Sequence, residues 1–156
     1  MNFFLRLHGL SSRFDHLLND WGRTVLGLIL RLFVAWQFLK AGLLKAKDWD
    51  STLSLFREEY SVPLLPPEIA ALLGAGGELF FPILLMLGLF SRPAALGLFV
   101  INAMAVMSYP QLWTFECPAA INDHFYWGIL LLVLVVIGPG KIAVDQWLKK
   151  MSVRSQ

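Results

Sequence analysis

Residues 69–109 read IAALLGAGGELFFPILLMLGLFSRPAALGLFVINAMAVMSY, which is two apolar runs joined by a short polar turn. The first run, 69–90, contains Glu78 as its only ionisable residue, and the shorter second run, 93–109, contains no charged residue. At about 1.5 Å per residue, such runs have the length that a helix needs to cross a hydrocarbon core of about 30 Å. Because proline is well tolerated at the start of a helix, Ser91-Arg92-Pro93 predicts the turn between them. The stretch therefore predicts a hairpin of two membrane-spanning helices.

Two further apolar runs flank this hairpin. The run from Val25 to Leu44 is interrupted by polar side chains, and the last run begins near Phe125 and ends at Gly138-Pro139-Gly140, a helix-stopping sequence. The predicted spans are therefore about 25–44, 69–90, 93–109 and 125–141. We expect a single domain over residues 1–156 with an all-α fold, a polytopic membrane four-helix bundle.

The composition agrees with a membrane protein. Of the 156 residues, 57% are hydrophobic and 15% are charged, against roughly 45–50% and about 25% in soluble domains. The formal net charge of +2 is too small to indicate nucleic-acid binding. A single cysteine excludes an internal disulfide and a CxxC redox pair. A redox role would therefore need a cofactor, a metal or the thiols of a partner.

Two segments outside the spans are amphipathic. Residues 1–22 place apolar side chains at helical spacing between charged ones, which predicts an interfacial segment on the cytoplasmic membrane surface. Trp49, Leu53, Phe56 and Tyr60 recur at steps of four, three and four, which predicts a short external amphipathic helix over the mouth of the bundle.

The basic residues outside the spans are unevenly distributed between the two sides of the predicted bundle. The three on one side are Lys45, Lys47 and Arg57, and the eight on the other side are Arg6, Arg13, Arg23, Arg92, Lys141, Lys149, Lys150 and Arg154. Since cytoplasmic loops carry the excess of basic residues, this distribution predicts a multi-pass protein of the inner membrane with both termini in the cytoplasm.

Polar residues inside the spans are candidates for a buried polar cluster, because a charge in the bilayer centre needs a partner. Counted from the outer ends of the spans, Gln37, Glu78 and Asn102 lie at similar depths of about 10 to 14 Å. Arg31 and Lys40 bracket this layer, and we expect one of them to pair with Glu78. Structural ion pairs and ligand sites look alike in sequence, so both interpretations stay open.

The segment around Glu78 is also rich in residues that allow close approach to the backbone. Pro82 cannot donate a hydrogen bond to the carbonyl of Glu78, and Gly74, Gly76 and Gly77 carry no side chains. This surface could accept a quinone, or it could pack against a neighbouring helix.

The second external loop contains the softest metal ligands of the chain, Cys117 and His124, with Glu116 and Asp123 beside them. Thiolate and imidazole suit copper, and carboxylates can orient such ligands. The spacing of seven between Cys117 and His124 matches no standard zinc pattern. Asp123 can equally serve as a helix cap, and His124 as a surface hydrogen-bonding group.

Three stretches together resemble the DoxX family of small four-helix membrane proteins over roughly residues 22–148. They are RLFVAWQFLKAGLLKAKDW at 31–49, the link YSVPLLPPE at 60–68, and DHFYW at 123–127 followed by the GPG exit. The last stretch is most similar to the HvfX-like branch. That resemblance implies an accessory protein for the maturation or handling of copper-binding, ribosomally made modified peptides and for metal or oxidative stress defence.

The same family resemblance implies an alternative, the small membrane subunit of a quinone-linked oxidoreductase of the thiosulfate:quinone type. The implied cofactors are copper in the first case and a quinone in the second. The implied partners are peptide maturation enzymes or the modified peptide, or else a redox subunit, and a homo-oligomer is a further alternative. The sequence has no serine-histidine-acid arrangement, phosphate loop or HExxH motif, so we do not expect an autonomous enzyme and assign no catalytic residue.

Overall fold

A computed structural model describes residue 15 and residues 18–114 and 118–154. Within them the chain forms a short π-helix, Leu18–Gly22, and six α-helices. These are α1 (Arg23–Lys47), α2 (Trp49–Glu58), α3 (Pro67–Leu87), α4 (Ser91–Ser108), α5 (Ala119–Ile137) and α6 (Val144–Arg154), with a 3-10 turn at Pro110–Trp113. Most of the predicted interfacial segment 1–22 lies outside the described residues.

The predicted fold class is confirmed. Helices α1, α3, α4 and α5 are each long and apolar enough to cross a membrane, and they form a bundle in which α1 packs on α3 and α5, and α4 packs on α3 and α5. The core between them consists of small and branched side chains that are fully buried: Val34, Ala35, Leu85, Ala94, Ala95, Leu98 and Leu131. The orientation of the bundle across the membrane stays a prediction.

Two helix boundaries differ from the predicted spans in a way that affects the candidate sites. Helix α1 continues to Lys47, so Lys45 belongs to the helix and not to the loop after it. Helix α5 begins at Ala119, so Asp123 and His124 lie inside a helix and not before one. An apolar run marks only the part of a helix that lies in the hydrocarbon core. The helical hydrogen bonds of the backbone continue beyond it, through polar residues in the interface.

The short helix α2 occurs where the amphipathic stripe predicts it, and its start is defined by Asp48. The Asp48 carboxylate accepts hydrogen bonds from the Ser51 hydroxyl at 2.7 Å and from the Ser51 backbone N–H at 3.0 Å. These bonds favour the charged form and lower the pKa of Asp48. Because the cap directly follows Lys47, it turns the chain sharply and brings α2 across the end of the bundle, where Phe56 is buried with Ala70 and Ala71 of α3.

Candidate functional site

A buried ion pair joins α1 to α3. The Lys45 ammonium lies 2.6 and 2.8 Å from the two carboxylate oxygens of Glu78, and the two side chains are only 16% and 10% exposed. Charge-assisted hydrogen bonds of this length are strong, and in an apolar setting they offset part of the cost of taking both charges out of water. The pair therefore links α1 and α3 electrostatically inside the bundle.

The position of this pair is explained by a close helix crossing at Gly42. A Cβ atom added to Gly42 would lie 2.9 Å from the carbonyl carbon of Glu78 and 3.1 Å from its carbonyl oxygen. Pro82 removes the backbone N–H that would otherwise bond to that carbonyl. Lys45 follows Gly42 by three residues, so its side chain lies on the same face of α1 and reaches Glu78 directly.

The predicted partners of Glu78 were wrong. Arg31 lies eleven residues before Gly42, about 16 Å along the helix, and its guanidinium instead donates to the carbonyl of Ile142 at 2.7 Å. Lys40 is exposed on the surface of the bundle, because it is two residues from Gly42 and therefore points away from the crossing.

The polar residues that we expected to form a single layer instead make separate contacts. Asn102 is buried and pairs with His124 of α5, both through its amide N–H to the His124 carbonyl and through its carbonyl to Nδ1, each at 2.8 Å. Gln37 donates to the carbonyl of Phe33 in its own helix at 3.4 Å. Neither residue bonds to Glu78, because each finds a nearer partner on its own or the adjacent helix.

An apolar cavity of about 230 Å³ lies beside the ion pair. Leu73 of α3 and Val100 of α4 line it and are also exposed on the outside of the bundle, so the cavity reaches the surface that faces lipid. The other lining residues come from α1, α2, α3, α4 and the link before α3: Lys45, Phe56, Tyr60, Val62, Leu65, Ala70, Gly74, Glu78, Ile101, Met104 and Ala105. A ligand in this cavity would contact hydrocarbon on most sides and the ion pair on one.

Tyr60 is the second polar group at the cavity wall. Its ring is stacked between Phe56 and Tyr109, with centroid distances of 4.5 and 4.9 Å. Burial, helped by the nearby charge of Glu78, raises the pKa of Tyr60 to about 12. The phenol is therefore protonated at neutral pH and can donate a hydrogen bond. The backbone N–H of Ser61 donates to the Ser108 carbonyl at 2.7 Å, which ties the link to the end of α4.

The glycines near Glu78 have different roles. Gly74 lines the cavity and lies against Phe56, whereas Gly77 packs against Ile101 of α4 and Gly76 has open space around it. Pro82 is buried inside α3. The sequence allowed either a ligand surface or a helix-packing surface here. Gly74 belongs to the candidate ligand cavity, and Gly77 allows close packing of two helices.

The predicted copper site is only partly within the described residues. Cys117 and Glu116 lie outside them, while Asp123 is exposed and His124 is half-buried beside Trp127, with ring centroids 5.1 Å apart. In the described part of the chain, no group of three or more histidine, cysteine or acidic side chains could hold a metal ion. The copper site stays a prediction.

The geometry describes a polytopic membrane protein with an acid–base pair beside a cavity that reaches lipid. A family model described as DoxX matches residues 26–111. A relative from Haemophilus influenzae, described as an uncharacterized protein, is 32% identical over 127 residues, which cover 80% of this chain and 83% of the relative. No solved structure matches. The chain belongs to the DoxX family, and its place in the HvfX-like branch stays a prediction.

Proposed function

We propose that this DoxX-family protein binds the headgroup of a membrane quinone in the cavity and acts as the small membrane subunit of a quinone-linked oxidoreductase. The observation that carries the proposal is the position of Lys45, Glu78 and Tyr60 at the wall of an otherwise apolar cavity that reaches lipid. A quinone presents the matching chemistry, because it has a flat apolar ring, two polar carbonyl oxygens and a hydrocarbon tail.

The size of the cavity supports partial enclosure of such a ligand. A site that encloses a whole drug-sized molecule has about 300–1,000 Å³, whereas this cavity has about 230 Å³. It can therefore hold a ring-sized group but not a long tail. The tail would leave between Leu73 and Val100, which are the lining residues exposed on the lipid-facing surface.

The polar wall supplies the groups that quinone reduction needs. Reduction to the quinol adds two electrons and two protons, so a carbonyl oxygen gains negative charge before or while it is protonated. Lys45 uses two of its three N–H donors on Glu78, which leaves the third for a quinone oxygen, and Tyr60 is a neutral donor. The electrons come from the donor substrate of the partner redox subunit, which is oxidised in the same reaction, and the two protons come from water.

Filling the cavity should weaken this binding. We expect Ala105→Leu to weaken the binding of ubiquinone-1 or its naphthoquinone counterpart by at least about tenfold, or about 1.4 kcal/mol, because the larger side chain occupies the space of the ring. Binding is measured by titration of the detergent-solubilised protein with each quinone.

Ala103→Leu is the matched control, because it makes the same substitution on the same helix at a residue that does not line the cavity. It should bind quinone as the wild type does. Equal binding by the Ala105→Leu variant, or a wild type that binds neither quinone, would reject the proposal.

A second candidate function is accessory handling of copper or of a copper-binding modified peptide. It is favoured by the hydrogen bond of His124 to Asn102. Because the Asn102 carbonyl oxygen is an acceptor, Nδ1 of His124 must carry the proton, which leaves the lone pair of Nε2 for a metal. This is how proteins orient a ligating histidine.

Copper retention tests the second candidate. The reduced, detergent-solubilised protein should keep near-stoichiometric Cu(I) after desalting against a weak competitor. His124→Ala and Cys117→Ser should each lower that retention at least about tenfold, since thiolate and imidazole are the soft ligands. His8→Ala is the control histidine substitution, and copper retention that survives both site substitutions would exclude this site.

A further inference from the structure

The C-terminal helix α6 has an apolar face that the described chain does not cover. Val144, Trp147, Leu148 and Met151 recur at steps of three, one and three, which places them within an arc of about 100° on one side of the helix. None of the residues of α6 is buried, and Trp147 is 61% exposed. The helix follows the last membrane-spanning helix after a break of only a few residues, so this face lies close to the bilayer.

The rest of the α6 surface is basic: Lys149 and Lys150 lie away from the apolar arc, whereas Arg154, seven residues after Trp147, borders it. These three residues form the basic face. Lys149, Lys150 and Arg154 are exposed and line a shallow groove together with Gln146 and Val153. Arg23 and Arg92 are also exposed and belong to the same end of the bundle, at the starts of α1 and α4. This end of the protein therefore presents a concentration of positive charge.

Helix α6 is held in place by Asp145. The Asp145 carboxylate accepts hydrogen bonds from the backbone N–H groups of Phe90 and Ser91 at 2.8 and 2.9 Å and from the Ser91 hydroxyl at 2.9 Å. Its own N–H donates to the Gly88 carbonyl at 3.0 Å. The acid thus caps the start of α4, where the helix dipole favours negative charge, and its charge is not available to neutralise the basic face.

Arg31 fixes the segment before α6. Its guanidinium, which is buried in the bundle, donates to the carbonyl of Ile142 at 2.7 Å. Asp145 ties α6 to the turn between α3 and α4, and Arg31 of α1 ties the segment before α6 to the bundle, so α6 is fixed at the level where the membrane-spanning helices end. The apolar arc and the basic face are therefore presented at the membrane surface and not in bulk water.

We propose that α6 is a binding platform for anionic phospholipid. Its apolar arc lies among the acyl chains, and Lys149, Lys150 and Arg154 bind the phosphate groups of the same leaflet. An amphipathic helix with a basic polar face lies in the interface plane of a bilayer in this way, and clustered Lys and Arg side chains attract anionic lipids. Zwitterionic lipid offers the same acyl chains without net negative charge, so the basic face predicts selectivity for anionic headgroups.

Lipid retention by the full chain tests this proposal. In native mass spectrometry of the detergent-solubilised protein with equal amounts of phosphatidylglycerol and phosphatidylcholine, we expect the wild type to retain phosphatidylglycerol about tenfold better. K149Q/K150Q/R154Q should lose this preference. K149R/K150R should keep it, because the charges remain.

Lys47→Gln removes an exposed lysine at the other end of the bundle and should leave the preference unchanged. The substituted residues of α6 are exposed, so a monodisperse elution profile is expected for every variant. A wild type without preference, or a triple variant that keeps the preference of the wild type, would overturn the proposal.

Discussion

Replacing Glu78 with leucine is expected to lower the free energy of unfolding by about 3 to 5 kcal/mol, the usual cost of removing one partner from a buried charge pair. The substitution leaves the Lys45 ammonium in a wall that is otherwise apolar, without the two carboxylate oxygens at 2.6 and 2.8 Å. Reversible unfolding of the detergent-solubilised variants, followed by a spectroscopic signal of helix content, measures the loss.

The same helix offers a matched control. Glu68 also belongs to α3 and pairs with Arg57 at 2.7 Å, but these two side chains are 55% and 50% exposed. Exposed pairs contribute about 0 to 1 kcal/mol because water and salt screen them, so Glu68→Leu should cost little. If Glu78→Leu costs no more than Glu68→Leu, the interior pair is not desolvated.

A double variant distinguishes the effect of an unpaired charge on stability from the effect of lost packing. Lys45→Met/Glu78→Leu removes both charges and replaces them with apolar side chains of similar size, which is often neutral or stabilising. Most of the stability lost in Glu78→Leu should therefore return.

The double variant should still fail to bind quinone, because it lacks the polar wall, whereas Ala105→Leu keeps the pair and fills the space beside it. Stability and binding are thus tested by different substitutions.

The burial of Glu78 with a partner was predictable, because an ionisable residue in an apolar run needs one. Its partner was not predictable, because Lys45 comes one residue after the apolar run that ends at Leu44, so the apolar pattern predicts a loop there. The helix continues to Lys47 until the Asp48 cap begins α2. A useful signal was Gly42, since a glycine in a membrane-spanning helix often marks a close crossing, and a residue three positions further shares its face.

The cavity could not be derived from sequence. Its lining comes from four helices and the link before α3, and Tyr60 and Ala105 meet only through tertiary packing. The same holds for the pair of Asn102 and His124. The apolar pattern predicts a loop at His124, and its contact with α4 depends on α5 starting at Ala119. Hydrophobic periodicity identifies helices and their buried faces, but it does not determine which helix faces pack against each other.

Gly42→Val is expected to be the second most damaging substitution, with a loss of roughly 1 to 3 kcal/mol or more in the free energy of unfolding, the range for overpacking of a well-packed interior. Even the first carbon of the new side chain would lie 2.9 Å from the backbone of Glu78. A backbone atom cannot rotate away as a flexible side chain can, so α1 and α3 must separate. Separation also moves Lys45 from Glu78, and the variant should lose quinone binding together with stability.

Gly76→Val distinguishes this contact from a general effect of valine in a membrane-spanning helix. Gly76 lies in α3 two residues before Glu78, and a Cβ atom there would meet no atom within 4 Å. Its substitution should change the free energy of unfolding by no more than about 0.5 kcal/mol, as at other exposed positions. If the two variants unfold at the same denaturant concentration, α1 and α3 do not approach at Gly42. The ion pair would then need another explanation for its position, because the crossing is what places the Lys45 side chain on the face that meets Glu78.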